Sequence, residues 1–333
     1  MPNRRDPDAP GRGAEARAIG SSAPPPGLED LPWELPHRFL GLDGPEASFS
    51  EAGAVIMPVP YESTTSYGGG AREGPAAILE ASRFLELYDQ EQGEEPARHG
   101  IHTLPALELT REGSTAAMEE LEAHYGRVLE ALEGRLPVML GGEHAISAPA
   151  IRATARHLDG DRLSVLQMDA HADLRDGYEG APWSHASFAY RTLDVADYVQ
   201  VGIRAVSAPE VEVMEREEGV HVIWAEAMHR PGDDGWMDRA LEALGPRVYL
   251  TFDVDYFDPS LVPSTGTPEP GGGDWYRTLR FLRRVFNERE VVGLDVVELA
   301  PTPGLHAPDF LVAKLVYKLL GYHFEAERGR ADT

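Results

Sequence analysis

Asp169, His171 and Asp173 occupy alternate positions immediately after an apolar run, Leu163 to Met168. Alternate side chains of an extended chain point the same way, so these three can converge on one spot. A second apolar run, Val248 to Phe252, leads into Asp253 and Asp255, another same-face pair. His144 follows a third short run through a Gly141-Gly142 turn. Left unpaired at strand ends, such groups would each cost several kcal/mol in desolvation, roughly. No run of Arg or Lys lies inside these segments to neutralise them. Two divalent cations would, with His144, Asp169, His171, Asp173, Asp253 and Asp255 as ligands. A hydrogen-bonded buried cluster is the bland reading of Asp169-His171-Asp173 taken alone, and a helix-proximal His bonded to a carbonyl that of His144.

Charge counting then points to a substrate class. Four Asp ligands carry −4, two dications +4, and a hydroxide bridging the two metals −1, which leaves a site ready for a cation. A hydroxide in that position is available near neutral pH because metals lower the pKa of water. A guanidinium beside Glu298 would restore the balance. A phosphate ester would instead ask for Arg or Lys partners.

The elements that must hold these groups follow from hydrophobic pattern. Apolar strands are expected at 54–60, 136–140, 163–168, 198–202, 220–224, 248–254 and 291–299, with helical patterns between most of them. Helices are expected from Pro75 onward, with Ile78, Leu79, Phe84, Leu85 and Leu87 facing inward, and at 114–134, 147–158, 235–244, 274–286 and 310–320. Continuous apolar strands alternating with helices imply a mainly parallel sheet covered on both faces. Residues 1–35 are rich in Pro, Gly and Ala and read as a disordered or draped extension; residues 36–333 read as one domain. Tyr61 to Gly70 is a polar, Gly-rich loop after a strand, where such folds place ligand contacts.

Composition narrows the partners. The chain has 333 residues and a formal charge of −26, which argues against nucleic acid or an anionic membrane. There is no cysteine, so any metal is held by His and carboxylates, which suits Mn²⁺, Ni²⁺ or Zn²⁺. No spanning apolar run and no secretory pattern is visible, so a cytoplasmic location is the expectation. Lys314 and Lys318 are the only lysines; the excess of acid is read either as salt adaptation or, with Arg so favoured, as genome composition.

Gly141-Gly-Glu-His144, Asp169-Ala-His-Ala-Asp173 and Phe252-Asp-Val-Asp-Tyr-Phe-Asp-Pro259 resemble the three signatures of the ureohydrolases, the arginase and agmatinase family. The likeness runs from about Ala54 to Leu320. It implies a three-layer α/β/α sandwich, a pair of Mn²⁺ ions (Ni²⁺ as an alternative) on the six residues above, and a homo-trimer or homo-hexamer. It also implies that His185, in Trp183-Ser-His185, shuttles protons and that Glu298 binds the guanidinium, with Asp173 relaying the proton of the attacking hydroxide. Glu143 stands where the family commonly has Asp, a change expected to tune metal affinity, Ala145 where Ser is common, and Thr251 where Ser is common. The stretch Leu174 to His185 is similar to the agmatinase branch rather than to arginases. Agmatine, hydrolysed to putrescine and urea, is therefore the expected substrate. Guanidinobutyrate, guanidinopropionate, formiminoglutamate, guanidine and arginine remain alternatives, with Arg175 or Arg72 as a possible anchor for a substrate carboxylate. A single-zinc deacetylase on a related fold and a catalytically silent polyamine-pathway regulator are the rivals from other classes.

Overall fold

A computed structural model describes residues 36–331, apart from 159–161, 231 and 233. The expected N-terminal extension at 1–35 lies outside the described residues. In chain order the strands are β1 (Ala54–Val59), β2 (Ile101–Thr103), β3 (Leu136–Gly141), β4 (Leu163–Met168), β5 (Ala196–Ile203), β6 (Val220–Trp224), β7 (Arg247–Asp253) and β8 (Glu290–Val297). The helices are α1 (Gly74–Ser82), α2 (Ser114–Leu132), α3 (Ser147–His157), α4 (Ala208–Arg216), α5 (Ala225–Met228), α6 (Gly235–Ala243), α7 (Trp275–Glu288) and α8 (Ala307–Ala331).

All eight strands join one parallel sheet in the order β2-β1-β3-β8-β7-β4-β5-β6. Strands β1, β3 and β4 are buried along their whole length, which is why they read as unbroken apolar runs rather than as alternations. Their side chains still divide by parity. Ile56, Val138, Leu166, Leu250 and Leu294 join α1, α6, α7 and α8 in one core, while Met57, Met139, Val165 and Tyr249 join α2 and α3 in the other. Helices thus cover both faces, giving the three-layer arrangement.

Two expectations need correction. Phe84 and Leu87 do not face inward: α1 ends at Ser82, and both side chains are exposed beyond it. The closing helix, expected at 310–320, runs from Ala307 to Ala331. It is buried nearly all round between 312 and 324, so no amphipathic stripe marks its ends. The edge strand β2 was not anticipated, because three residues are too few to carry a period. Among the described residues no helix is long and apolar enough to cross a membrane.

Candidate metal centre and its pocket

The four neighbouring strands β3, β8, β7 and β4 occupy the middle of the sheet, and their C-terminal ends carry the predicted residues. β4 leads on to β5, while its neighbour β7 leads on to β8 on the other side, so the chain's direction of travel through the sheet reverses between them. Open parallel sheets bind ligands at such a reversal. β3 delivers His144, β4 delivers Asp169, His171 and Asp173, β7 delivers Asp253 and Asp255, and β8 delivers Glu298.

All six predicted ligands come together. His144 Nδ1 lies 3.2 Å from a carboxylate oxygen of each of Asp169, Asp173 and Asp253. His171 Nδ1 lies 2.9 Å from Asp255 and 3.7 Å from Asp169. Two ligand groups result, His144-Asp169-Asp173 and Asp169-His171-Asp255, sharing Asp169. The four Asp side chains are all buried.

The structure supplies its own test of whether metal ions fit. The Thr251 hydroxyl donates to Asp295 Oδ1 at 2.6 Å, and Tyr249 donates to the other oxygen at 2.9 Å. With its hydrogen so used, Thr251 accepts from His144 Nε2 at 2.8 Å. His144 Nδ1 is then left buried, without a hydrogen-bond partner, aimed at three carboxylates. Positive charge has to sit in that gap. Among the described residues the ion pairs of these carboxylates are with His144 and His171 alone. Arg204, nearby, spends its guanidinium on the backbone carbonyls of Gly202, Asp255 and Glu269. An imidazole and carboxylate donor set of this kind fits two divalent ions, and Asp169 belongs to both groups that would hold them.

Electrostatics agree. Burial, reinforced by the neighbouring Asp169 charge, pushes Asp173 up to about 7. Burial and then Asp255 push Asp253 well above the usual carboxylate range. For His171 burial works downward, yet the charge and hydrogen bond of Asp255 carry it up to about 11. Each shift is what a site short of positive charge produces.

Glu298 ends β8 with φ +65°, and Asp173 has φ +52°. For residues with a side chain this costs on the order of 1–3 kcal/mol each, strain that collects at functional sites. Glu298 Oε1 accepts from the His144 backbone N–H at 2.6 Å, and its own N–H donates to Gly142 at 2.9 Å. Burial, with the Glu143 charge next, raises its carboxyl to about 8. That is a carboxylate lacking its cation.

Above the cluster opens a cavity of about 270 Å³, lined by His144, His171, Asp173, His185, Asp253, Asp255 and Glu298 at its floor and sides. Tyr67, Arg175, Tyr178, Ser207, Glu210 and Thr267 line the rest. Arg175 faces this cavity; Arg72 belongs to a separate hollow beside Glu108 and Arg111. Arg175 sits 3.6 Å from Glu210 and 4.9 Å over the Tyr178 ring. His185 is neutral at rest rather than half-protonated. Burial, then the positive charges of His144 and His171, lower it to about 4.

Sequence reasoning missed the groups that hold the ligands in place. Phe188 stacks on the His144 ring at 3.9 Å, and the Gln200-Gln167 pair braces Asp169 through a 2.8 Å hydrogen bond. Asp295 belongs here too, through Thr251, which the sequence marked only as a hydroxyl standing where Ser is common. Thr64 does the same for His185. Glu143 turns out to bond Ser63 and Thr64 of the loop after β1, rather than any ligand. These are ordinary residue types at unremarkable spacing, and only the fold brings them to the site.

Two His and Asp groups sharing Asp169 at the reversal point of an α/β/α sandwich fit a metal-dependent hydrolase. Residues 52–321 match the family model described as Arginase family. The chain is 39% identical to an N(1)-aminopropylagmatine ureohydrolase of Synechocystis, covering 88% of this chain and 96% of that protein. It is 42% identical to the enzyme of that name from Thermus thermophilus, covering 83% and 92%. Among solved structures it resembles the agmatine ureohydrolase of Thermoplasma volcanium, with a TM-score of 0.76 and 29% identity over 86% of this chain and 95% of that one. The chain belongs to the arginase family, whose members are binuclear metal enzymes, and it is a ureohydrolase that hydrolyses a guanidino group.

Proposed function

We propose that this enzyme releases urea from a guanidino compound whose tail carries amines and no carboxylate. N1-aminopropylagmatine is the first candidate, giving spermidine and urea, and agmatine the second, giving putrescine and urea. The observation that carries the reading is the state of Arg175. It is the one Arg or Lys among the described residues lining the cavity, and Glu210 and Tyr178 already engage it. A guanidino acid would need that cation free for its carboxylate. Glu210 itself is committed to the start of α4, accepting from Ser207 and Leu174. Amine-bearing tails are therefore left the Tyr67 ring and the hydroxyls of the rim, where cation–π contact is available. The names of the relatives at 39% and 42% identity support the longer tail.

His144, Asp169, His171, Asp173, Asp253 and Asp255 would hold the ions, Mn²⁺ by preference and Ni²⁺ as the alternative. When bound, such a pair polarises water and balances developing negative charge. Glu298 holds the guanidinium by two N–H groups and fixes its carbon over the cluster. Asp173 accepts a proton from the attacking water, and His185 Nε2, neutral at rest, takes that proton in turn and delivers it to the departing amine nitrogen. The test is urea release from N1-aminopropylagmatine, agmatine, guanidinobutyrate and arginine, with Mn²⁺ or Ni²⁺ supplied separately. The highest kcat/KM is expected on an amine-tailed substrate; a preference for guanidinobutyrate would overturn this reading.

A further inference from the structure

Glu143, the residue before His144, is fully buried and does not line the cavity. Among the described residues its side-chain hydrogen bonds go to Ser63 and Thr64 rather than to any of the six ligands. Its Oε2 accepts the backbone N–H groups of Ser63 at 2.8 Å and Thr64 at 2.7 Å. Its Oε1 accepts the Thr64 hydroxyl at 2.8 Å. That hydroxyl in turn lies 3.2 Å from His185 Nδ1 and accepts the His185 backbone N–H at 3.2 Å. We propose that Glu143, acting through Thr64, is a positioning residue that sets the tautomer of His185, with the hydrogen on Nδ1 and the lone pair on Nε2.

A hydroxyl has one hydrogen to give and two lone pairs. The Thr64 hydrogen goes to the Glu143 carboxylate, which can only accept. One lone pair takes the His185 backbone N–H, so the remaining contact to Nδ1 requires Nδ1 to donate. Nε2 is left as the acceptor, 3.4 Å from the Ser66 hydroxyl on the cavity wall. A proton can then enter and leave His185 only at the atom facing substrate. The chain is held rigidly enough to impose this. The Glu143 N–H donates to Tyr61 at 2.9 Å, and a Cβ on Gly142 would fall 1.8 Å from the Tyr61 carbonyl. Only glycine at 142 lets the turn after β3 lie flat on the loop that carries Thr64.

The proposal rests on His185 as the proton carrier, and its test separates the two. In Glu143→Gln the amide oxygen is drawn to the two backbone N–H groups, so the NH₂ meets Thr64. The Thr64 hydrogen then turns to Nδ1, and His185 becomes protonated at Nε2. Tautomers are read from the ¹⁵N histidine spectrum of the full chain loaded with diamagnetic Zn²⁺, the signal being assigned by its loss in His185→Ala. Nδ1 protonation is expected in the wild type and Nε2 protonation in Glu143→Gln. On the Mn²⁺-loaded enzyme, kcat should fall about 10²–10⁴-fold in Glu143→Gln with KM little changed, the span of general acid–base catalysis. Thr64→Val should lose as much, Thr64→Ser should restore both tautomer and rate, and the double variant should be no worse than either single one. An Nε2-protonated wild type, or an Nδ1-protonated Glu143→Gln, overturns the proposal. An unchanged kcat in His185→Ala would remove the proton-carrier role, while the tautomer result still decides what Glu143 does.

Discussion

Two acidic clusters in this molecule, one built around buried Asp89 and one around the four buried Asp at the sheet end, differ in where their positive charge comes from. Lys318, on α8, is buried against Asp89 and Glu91, with Nζ 2.9 Å from Asp89 and 2.5 Å from Glu91. Tyr322 donates to Glu91 at 2.9 Å, and Arg283 adds a second cation at 3.1 Å. Burial alone would raise these carboxyls, yet the hydrogen bonds and charge of Lys318 bring both below their ordinary range. At the end of the sheet, burial acts on Asp169, Asp173 and Asp253 in the same way, and all three stay raised. The chain brings its own cation to the first cluster and none sufficient to the second. One is a finished structural joint; the other is built to receive ions and then a cationic substrate.

That difference can be broken at several points. The largest effect should come from removing the ions. Chelation is expected to abolish urea release and added Mn²⁺ to restore it, whereas His171→Ala should lose more than about 10²-fold even with excess metal, since outer-shell changes alone cost 10–100-fold. Next comes Lys318→Met, which leaves Asp89 and Glu91 without their main cation. It should lower unfolding free energy in urea by roughly 3–5 kcal/mol at unchanged metal affinity.

Asp253→Asn should do the reverse in metal-free protein, holding or raising stability by about 1–4 kcal/mol as it relieves a crowded buried charge. With metal present the sign should invert, because a ligand is gone; melting curves with and without chelator would show both. A drop in metal-free stability would mean that the carboxylates there are balanced by the protein itself.

The smallest effect concerns His323, a buried base with no acid close enough to hold its charge. Burial, partly offset by Glu327, lowers it to about 4. A base whose pKa falls on folding binds its proton in the unfolded state first, so stability is retained above about pH 6.5 and lost as pH falls toward 4. Between pH 7 and 5 the loss assignable to His323 should be about 2 kcal/mol and should vanish in His323→Gln. Equal acid sensitivity in both proteins would overturn this assignment.

Much of the site was legible because its chemistry is concentrated. Asp169, His171, Asp173, Asp253 and Asp255 follow apolar runs that have to be strands, and carboxylates so placed need cations whatever the fold. Glu298 was found by charge counting and then by resemblance, but its left-handed backbone could not be read from residue type. The length of α8 was hidden for the opposite reason. A helix buried on every side has no polar face to mark its ends.

Local chemistry alone therefore settled that alternating acids and histidines end buried parallel strands, since periodicity and desolvation act within a few residues. Which strands lie side by side depended on the sheet order. It sets β8 and β7 between β3 and β4, brings Thr251 opposite Asp295, and lays the Thr64 loop against Glu143. Those contacts join residues 44 and 79 positions apart, and no pattern within a short window can encode such a distance.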